Sequence, residues 1–136
     1  MNEIHHTAVI GDDVKLGIGN VIGPYAVIIG PCHLGDGNWL GPHVSIGGPA
    51  EIRGPASGRM GQARWRVVGP GVMLGMGSIV TRDIPPFALA FGNPARVGGV
   101  NRVGMQRAGV ASLVIEHLGA RYGEGGDRSR GRRDLH

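Results

Sequence analysis

The sequence predicts an all-β chain: a parallel β-helix of about four hexapeptide-repeat coils, followed by a short C-terminal helix. Three observations carry this prediction. An aliphatic residue recurs at every sixth position from Ile4 to Ile52. Glycine accounts for 27 of 136 residues while aromatic residues make up only 4%, so the core must be built from small aliphatics. Like residues also return at a spacing of eighteen, which is three repeats per turn.

The repeat runs Ile4, Ile10, Leu16, Ile22, Ile28, Leu34, Leu40, Ile46 and Ile52. A period of six joins a very short strand to a turn. Side chains two apart on a strand face the same way, so the aliphatic residue and the one two before it both point inward. Glycine often follows and supplies a corner. Three units close a triangular coil, and coils stack about 4.8 Å apart. The expected inner columns are Ile4–Ile22–Leu40, Ile10–Ile28–Ile46 and Leu16–Leu34–Ile52, with Val14–Cys32–Ala50 and Asn20–Asn38 beside them. Asn20 and Asn38 read as a structural amide ladder, and Cys32 as a core residue. An amphipathic helix would need a period near 3.6 and does not fit.

Residues 1–52 are thus β-helix coils. Residues 53–66, RGPASGRMGQARWR, carry no repeat and read as an excursion loop. Repeats resume at Val68, Leu74 and Val80; the step from Ile52 to Val68 is sixteen, so the loop must absorb a phase change. Residues 67–97 read as the final coil and a Pro-rich exit, since Pro85-Pro86 cannot continue a regular ladder. Residues 98–122 read as a helical cap over the solenoid end, with the helix itself over 104–122. Residues 123–136, GEGGDRSRGRRDLH, read as a disordered tail.

Net charge is +4, with Arg128, Arg130, Arg132 and Arg133 all near the C-terminus. A nucleic-acid footprint would be a basic stripe on the folded body; none is visible, so no nucleic-acid partner is expected. The lone Cys32 excludes an internal disulfide, which fits a reducing compartment. MNEIHHTAVIGDD holds acidic residues and no long apolar stretch, so neither a signal peptide nor a membrane span is expected, and the expected location is the cytoplasm.

DIPPFALAFGNPARV, residues 83–97, is similar to the end of the β-helix in many hexapeptide-repeat acyltransferases. GVNRVGMQRAGV, residues 99–110, and the N-terminal IHHTAVIGDDVKLGIGNVIGPYAVIIGP resemble the acyl-ACP:UDP-N-acetylglucosamine O-acyltransferase family of lipid A synthesis. The resemblance implies a left-handed β-helix, where general crossover rules would favour the right-handed form. It also implies a homotrimer, no permanently bound cofactor, and acyl-ACP or acyl-CoA as co-substrate. The acceptor would be a hydroxyl or amine of a nucleotide-sugar-like molecule. The family has longer solenoids and carries its catalytic histidine in a segment resembling IAHDC, and this chain has no such segment. Removing coils from a solenoid is tolerable because each touches only its neighbours. The alternative is therefore a shortened, catalytically inactive homologue serving as a trimeric scaffold or ligand-binding module.

Acyl transfer to a sugar needs a base, oxyanion donors and a groove for the acyl carrier. Histidine is the usual base. His43 is the candidate: it follows Tyr25 by eighteen residues, so the two should be neighbours on adjacent coils just past Pro24 and Pro42. His33 reads as solvent-facing, His5 and His6 as capping residues of the first coil, His117 as an exposed helix residue, and His136 as part of the tail. The histidines form no compact ligand cluster, so no metal site is expected, zinc between subunits included. By the resemblance, Asn101 and Arg107 correspond to groups that contact nucleotide or phosphate, a role suited to the planar guanidinium fork. Gly92 and Asn93 match the family's GN turn. Helix capping and a solvated face account for Asn101 and Arg107 equally well, and turn chemistry is the favoured account of Gly92 and Asn93.

Overall fold

In a computed structural model, which describes residues 1–47 and 65–134, the chain winds as a left-handed parallel β-helix with three walls. The first coil holds β1 (Glu3–Ile4), β2 (Val9–Ile10) and β3 (Val14–Leu16). The second holds β4 (Val21–Ile22), β5 (Val27–Ile28) and β6 (Cys32–Leu34). The third holds β7 (Trp39–Leu40), β8 (Ser45–Ile46) and β9 (Arg66–Val68), and the fourth β10 (Met73–Leu74) and β11 (Ile79–Val80). Each wall is a parallel ladder: β1-β4-β7-β10, β2-β5-β8-β11 and β3-β6-β9, the last extended by a bridge from Val68 to Ile84. Registers are strict, with Ile4 opposite Ile22, Ile10 opposite Ile28, and Leu16 opposite Leu34.

The inward rows are the aliphatics of the repeat. Ile22, Ile28, Leu34, Leu40, Ile46, Val68, Leu74 and Val80 are all buried. Ala26, Cys32, Val44 and Val72 fill the second inward row. The first coil has a neighbour on one side only, so Ile4 stays 43% exposed and Ile10 and Leu16 are half-buried.

The amide ladder is real and begins one rung earlier than expected. Asn2 Oδ1 accepts from Asn20 N at 2.9 Å, Asn20 Oδ1 from Asn38 N at 2.8 Å, and Asn38 Oδ1 from Val72 N at 2.8 Å. Each amide satisfies a buried corner N–H that the ladder would otherwise leave unpaired. At the top of this column Gly69 is at φ +92, and a Cβ there would collide with the Asn38 amide. Glycine is thus required at that corner twice over.

The third wall corrects the sequence reading. Residues 48–64, and with them Ala50, Ile52 and the expected loop over 53–64, lie outside the described residues. The places expected for Ala50 and Ile52 above Cys32 and Leu34 belong instead to Arg66 and Val68, which pair with them directly. Arg66, assigned to the loop from sequence, is in β9. Val68 lies thirty-four residues beyond Leu34, one turn of eighteen plus sixteen, so the apparent phase change is an insertion within the third coil that leaves the stacking register intact. Hydrophobic period alone cannot distinguish a ninth repeat from the first residues of an insertion.

The C-terminal end differs as well. After the Pro-rich corner, β12 (Ala88–Phe91) adds one more parallel rung beside β10, and β13 (Arg96–Val100) folds back antiparallel on β12. In place of one helix over 104–122 there are two, α1 (Arg102–Arg107) and α2 (Ser112–Asp134), separated by Gly109 at φ +78. A left-handed glycine is a common helix stop. α2 runs through 123–134, where composition predicts no helix; once packing has nucleated a helix, each further residue adds a hydrogen bond at small entropic cost. Val100, Met105 and Ile115 form a second buried cluster with Phe87, Leu118 and Tyr122, and the Tyr122 hydroxyl donates to Pro86 O at 3.0 Å. No helix among the described residues is long and apolar enough to cross a membrane.

Candidate functional site

Strict stacking aligns the corners of the prism into edges, and chemistry-bearing side chains collect on two of them. On the edge between the first and second walls, Thr7, Tyr25, His43 and Gly77 lie one above another. Tyr25 N donates to Thr7 Oγ1 at 2.9 Å, His43 N to Pro24 O at 3.0 Å, and Gly77 N to Pro42 O at 2.9 Å. Tyr25 and His43 hold the left-handed conformation, φ 58 and 60, which turns both rings outward. The rings stack with centroids 5.3 Å apart and planes 10° apart. His43 is exposed, as expected of a group meant to meet a ligand. At the foot of this edge His5 and His6 stack at 4.4 Å, and His5 Nδ1 bonds Thr7 Oγ1 at 2.8 Å.

Gly92 and Asn93 lie at the top of the same edge, both exposed; Ile79 N donates to Gly92 O at 2.9 Å, continuing the second wall by one partial rung. The structure therefore aligns His43 with the Gly92–Asn93 turn, with the rung of Gly77 between them. Asn101 and Arg107 are placed elsewhere. Asn101 caps α1: its Oδ1 accepts from Gly104 N at 3.0 Å and its Nδ2 donates to Gly71 O at 2.9 Å. Arg107 is exposed in the last turn of α1. His33 is exposed on the third wall between Lys15 and Val67, and His117 is exposed on α2. Among the described residues no group of three or more His, Cys, Asp or Glu side chains could hold a metal ion.

The second edge, between the second and third walls, holds a feature the sequence reading missed. A cavity of about 430 Å³ is lined by Trp65, Arg66, Thr81, Arg82 and Asp83. It combines two guanidinium groups, a carboxylate, a hydroxyl and an indole, a lining suited to a polar ligand with a flat or apolar portion. Arg66 stands directly on Cys32, and its Nε is buried without a hydrogen-bond partner among the described residues. Asp83 Oδ1 accepts from Val67 N at 3.0 Å. Had Val68 and Ile84 been recognised as one column, Arg66 and Arg82 would have followed as vertical neighbours. That turn is sixteen residues long where the repeat predicts eighteen, and the shorter step hid the signal.

Cys32 is buried, and burial pushes its thiol above the ordinary value of 9.0; Arg66 draws it down and Asp83 adds to the rise, both by smaller amounts. It is a core residue, as expected, and no nucleophile. In the native protein at pH 8 it is expected to react with a disulfide reagent roughly a hundredfold or more slowly than after unfolding in urea. The sign of its pH effect follows from the same burial. Above pH 9.0 the unfolded thiol ionises while the folded one keeps its proton, so stability declines as pH rises past 9. A urea midpoint that did not fall between pH 8 and 10 would contradict this.

The fold and its edges define a hexapeptide-repeat β-helix protein with ligand-sized features on its corners. Residues 83–124 match the family model described as UDP-N-acetylglucosamine O-acyltransferase, domain 2. An acyl-[acyl-carrier-protein]–UDP-N-acetylglucosamine O-acyltransferase of Thiobacillus denitrificans is 42% identical over 55 residues, covering 40% of this chain and 21% of the relative. A dTDP-3-amino-3,6-dideoxy-alpha-D-galactopyranose 3-N-acetyltransferase of Aneurinibacillus thermoaerophilus is 61% identical over 33 residues, 24% of this chain and 17% of the relative. The crystal structure of LpxA, a UDP-N-acetylglucosamine acyltransferase from Bacteroides fragilis, superposes with a TM-score of 0.69 at 22% identity, over 90% of this chain and 42% of that one. The chain is thus similar to the UDP-N-acetylglucosamine O-acyltransferases over part of its length, and it shares the β-helix fold of a solved one. It spans a quarter or less of the length of the curated relatives it matches.

Proposed function

We propose that this chain transfers an acyl group from an acyl-ACP or acyl-CoA thioester to a hydroxyl or amine of a sugar-nucleotide acceptor. The supporting observation is the match of residues 83–124 to the acyltransferase model on a β-helix whose edges carry an exposed His43 and a cavity lined by Arg66, Arg82 and Asp83 among others. His43 is the base in this reading. Its imidazole takes the proton of the attacking hydroxyl or amine, the acceptor atom bonds to the thioester carbonyl carbon, and the carbon–sulfur bond breaks as the thiolate takes up a proton. Arg66 and Arg82 suit phosphate groups of one of the two ligands, and Thr81 offers a hydroxyl beside them. Gly92 and Asn93, at the top of the His43 edge, and Arg107, exposed on α1, complete the candidate binding groups; Asn101 acts through the helix it caps.

A homotrimer accompanies this reading. The outward row of the second wall, Val9, Val27, Ser45 and Ile79, carries no charge, and Val9 is 56% exposed. Packing such a face against a partner adds apolar burial that a short solenoid lacks alone. Light scattering is expected to give three times the mass of the chain.

The test is thiol release from acetyl-CoA or acyl-ACP in the presence of UDP-N-acetylglucosamine. Acceptor-dependent release is expected, and His43→Ala should lower it by about 10²- to 10⁴-fold. Absence of an IAHDC-like segment in the sequence favours the second reading, a scaffold or binding module without turnover. Calorimetric binding with no thiol release across a panel of donors would establish that reading instead.

A further inference from the structure

The His43 edge is a ladder of rings with one rung left open. Thr7, Tyr25, His43 and Gly77 share one column, and coils repeat about every 4.8 Å. Tyr25 covers one face of the His43 ring at 5.3 Å. The opposite face looks along the column to the rung of Gly77, which has no side chain; a Cβ there would have nothing within 4 Å. One rung further on, the exposed Gly92–Asn93 turn closes the column, and exposed Arg96, opposite Phe91 in β13, puts a cation at the same end. The rung of Gly77 thus has a stacking floor at His43 on one side and the Gly92–Asn93 turn on the other.

We infer that this open rung binds the base of a nucleotide, stacked on His43. The inference rests on the reading of the chain as a handler of nucleotide ligands and assigns the base a place. A planar heteroaromatic group continues the ladder at its own spacing, as bases do on aromatic platforms. Stacking uses the face of the imidazole and leaves its nitrogens free on the ring edge. A phosphate on the same nucleotide finds the Arg96 cation nearby. The base could come from the sugar-nucleotide acceptor or from the adenosine of CoA, so the ligands tested must separate the two.

The experiment is an NMR titration of the intact chain, following the His43 Hδ2 and Hε1 resonances. Four ligands are used: UMP, AMP, N-acetylglucosamine and pantetheine. Upfield ring-current shifts are expected with a nucleotide and not with N-acetylglucosamine or pantetheine. Preference for UMP assigns the rung to the acceptor, and preference for AMP assigns it to the donor. His43→Ala should weaken nucleotide binding about tenfold, while His43→Phe keeps it within about threefold. Gly77→His should abolish it by filling the rung; histidine already tolerates this corner conformation at His43, φ 60, beside φ 74 for Gly77. His43 resonances that stay put at millimolar nucleotide overturn the inference, as does undiminished binding by a folded Gly77→His. Thiol release without these shifts would sink the inference and leave the proposed transfer standing. Nucleotide shifts without thiol release would do the reverse.

Discussion

Replacing Leu34 with alanine is expected to destabilise the protein by about 2–5 kcal/mol, read as a fall in the urea midpoint at unchanged slope. Leu34 is fully buried, with Leu16 below it and Val68 above. Truncation therefore removes apolar burial and leaves a cavity between rungs that backbone ladders prevent from collapsing. The position carries a further role. Val68 lies in β9, the first strand described after residues 48–64, and the side chain it lands on is Leu34. Leu113, 84% exposed on α2, supplies the control, and Leu113→Ala should stay within about 0.5 kcal/mol. Equal effects at the two positions would refute the packing argument.

Asn38→Ala is expected to cost about 2–4 kcal/mol through a different mechanism. Asn38 is 1% exposed and lies in the middle of the amide ladder. Its Oδ1 is the acceptor for Val72 N, and its own N–H is held by Asn20 Oδ1. Alanine strands the Val72 N–H in a dry core, which costs more than the lost bond was worth. Asn38→Asp separates the two contributions. It keeps an acceptor for Val72, but a carboxylate in this setting must ionise unpaired or take up a proton, so its stability should fall as pH rises above the ordinary aspartate range. Urea midpoints at pH 4 and pH 7 measure this directly. A midpoint for Asn38→Asp that was flat between them would show that the ladder is wetter than its burial indicates.

Much of the architecture was legible before any coordinates. The six-residue period placed Ile22, Ile28, Leu34, Leu40 and Ile46 inside, and the eighteen-residue return placed Asn20 under Asn38. It also placed Tyr25 beside His43, where the rings stack. Where the reading failed, a local pattern admitted two answers. Ile52 keeps the period, yet its expected place above Leu34 belongs to Val68. The helical region reads as one amphipathic segment, yet Gly109 divides it in two. For Asn101 the pattern left ligand contact and helix capping equally open, and its amide caps α1, bonding Gly104 N and Gly71 O.

The period of the repeat was sufficient for the class of fold, because one coil's inward pattern is the template for the next and each contact is local to neighbouring rungs. Register gave the vertical neighbours for the same reason. The cavity of Trp65, Arg66, Thr81, Arg82 and Asp83 depended on three dimensions: its walls come from sequence segments one turn apart, and that turn, from Val68 to Ile84, is sixteen residues long where the repeat predicts eighteen. The open rung at Gly77 depended on them too. A glycine in a glycine-rich sequence is unremarked until the column shows a stacked imidazole on one side and a turn on the other.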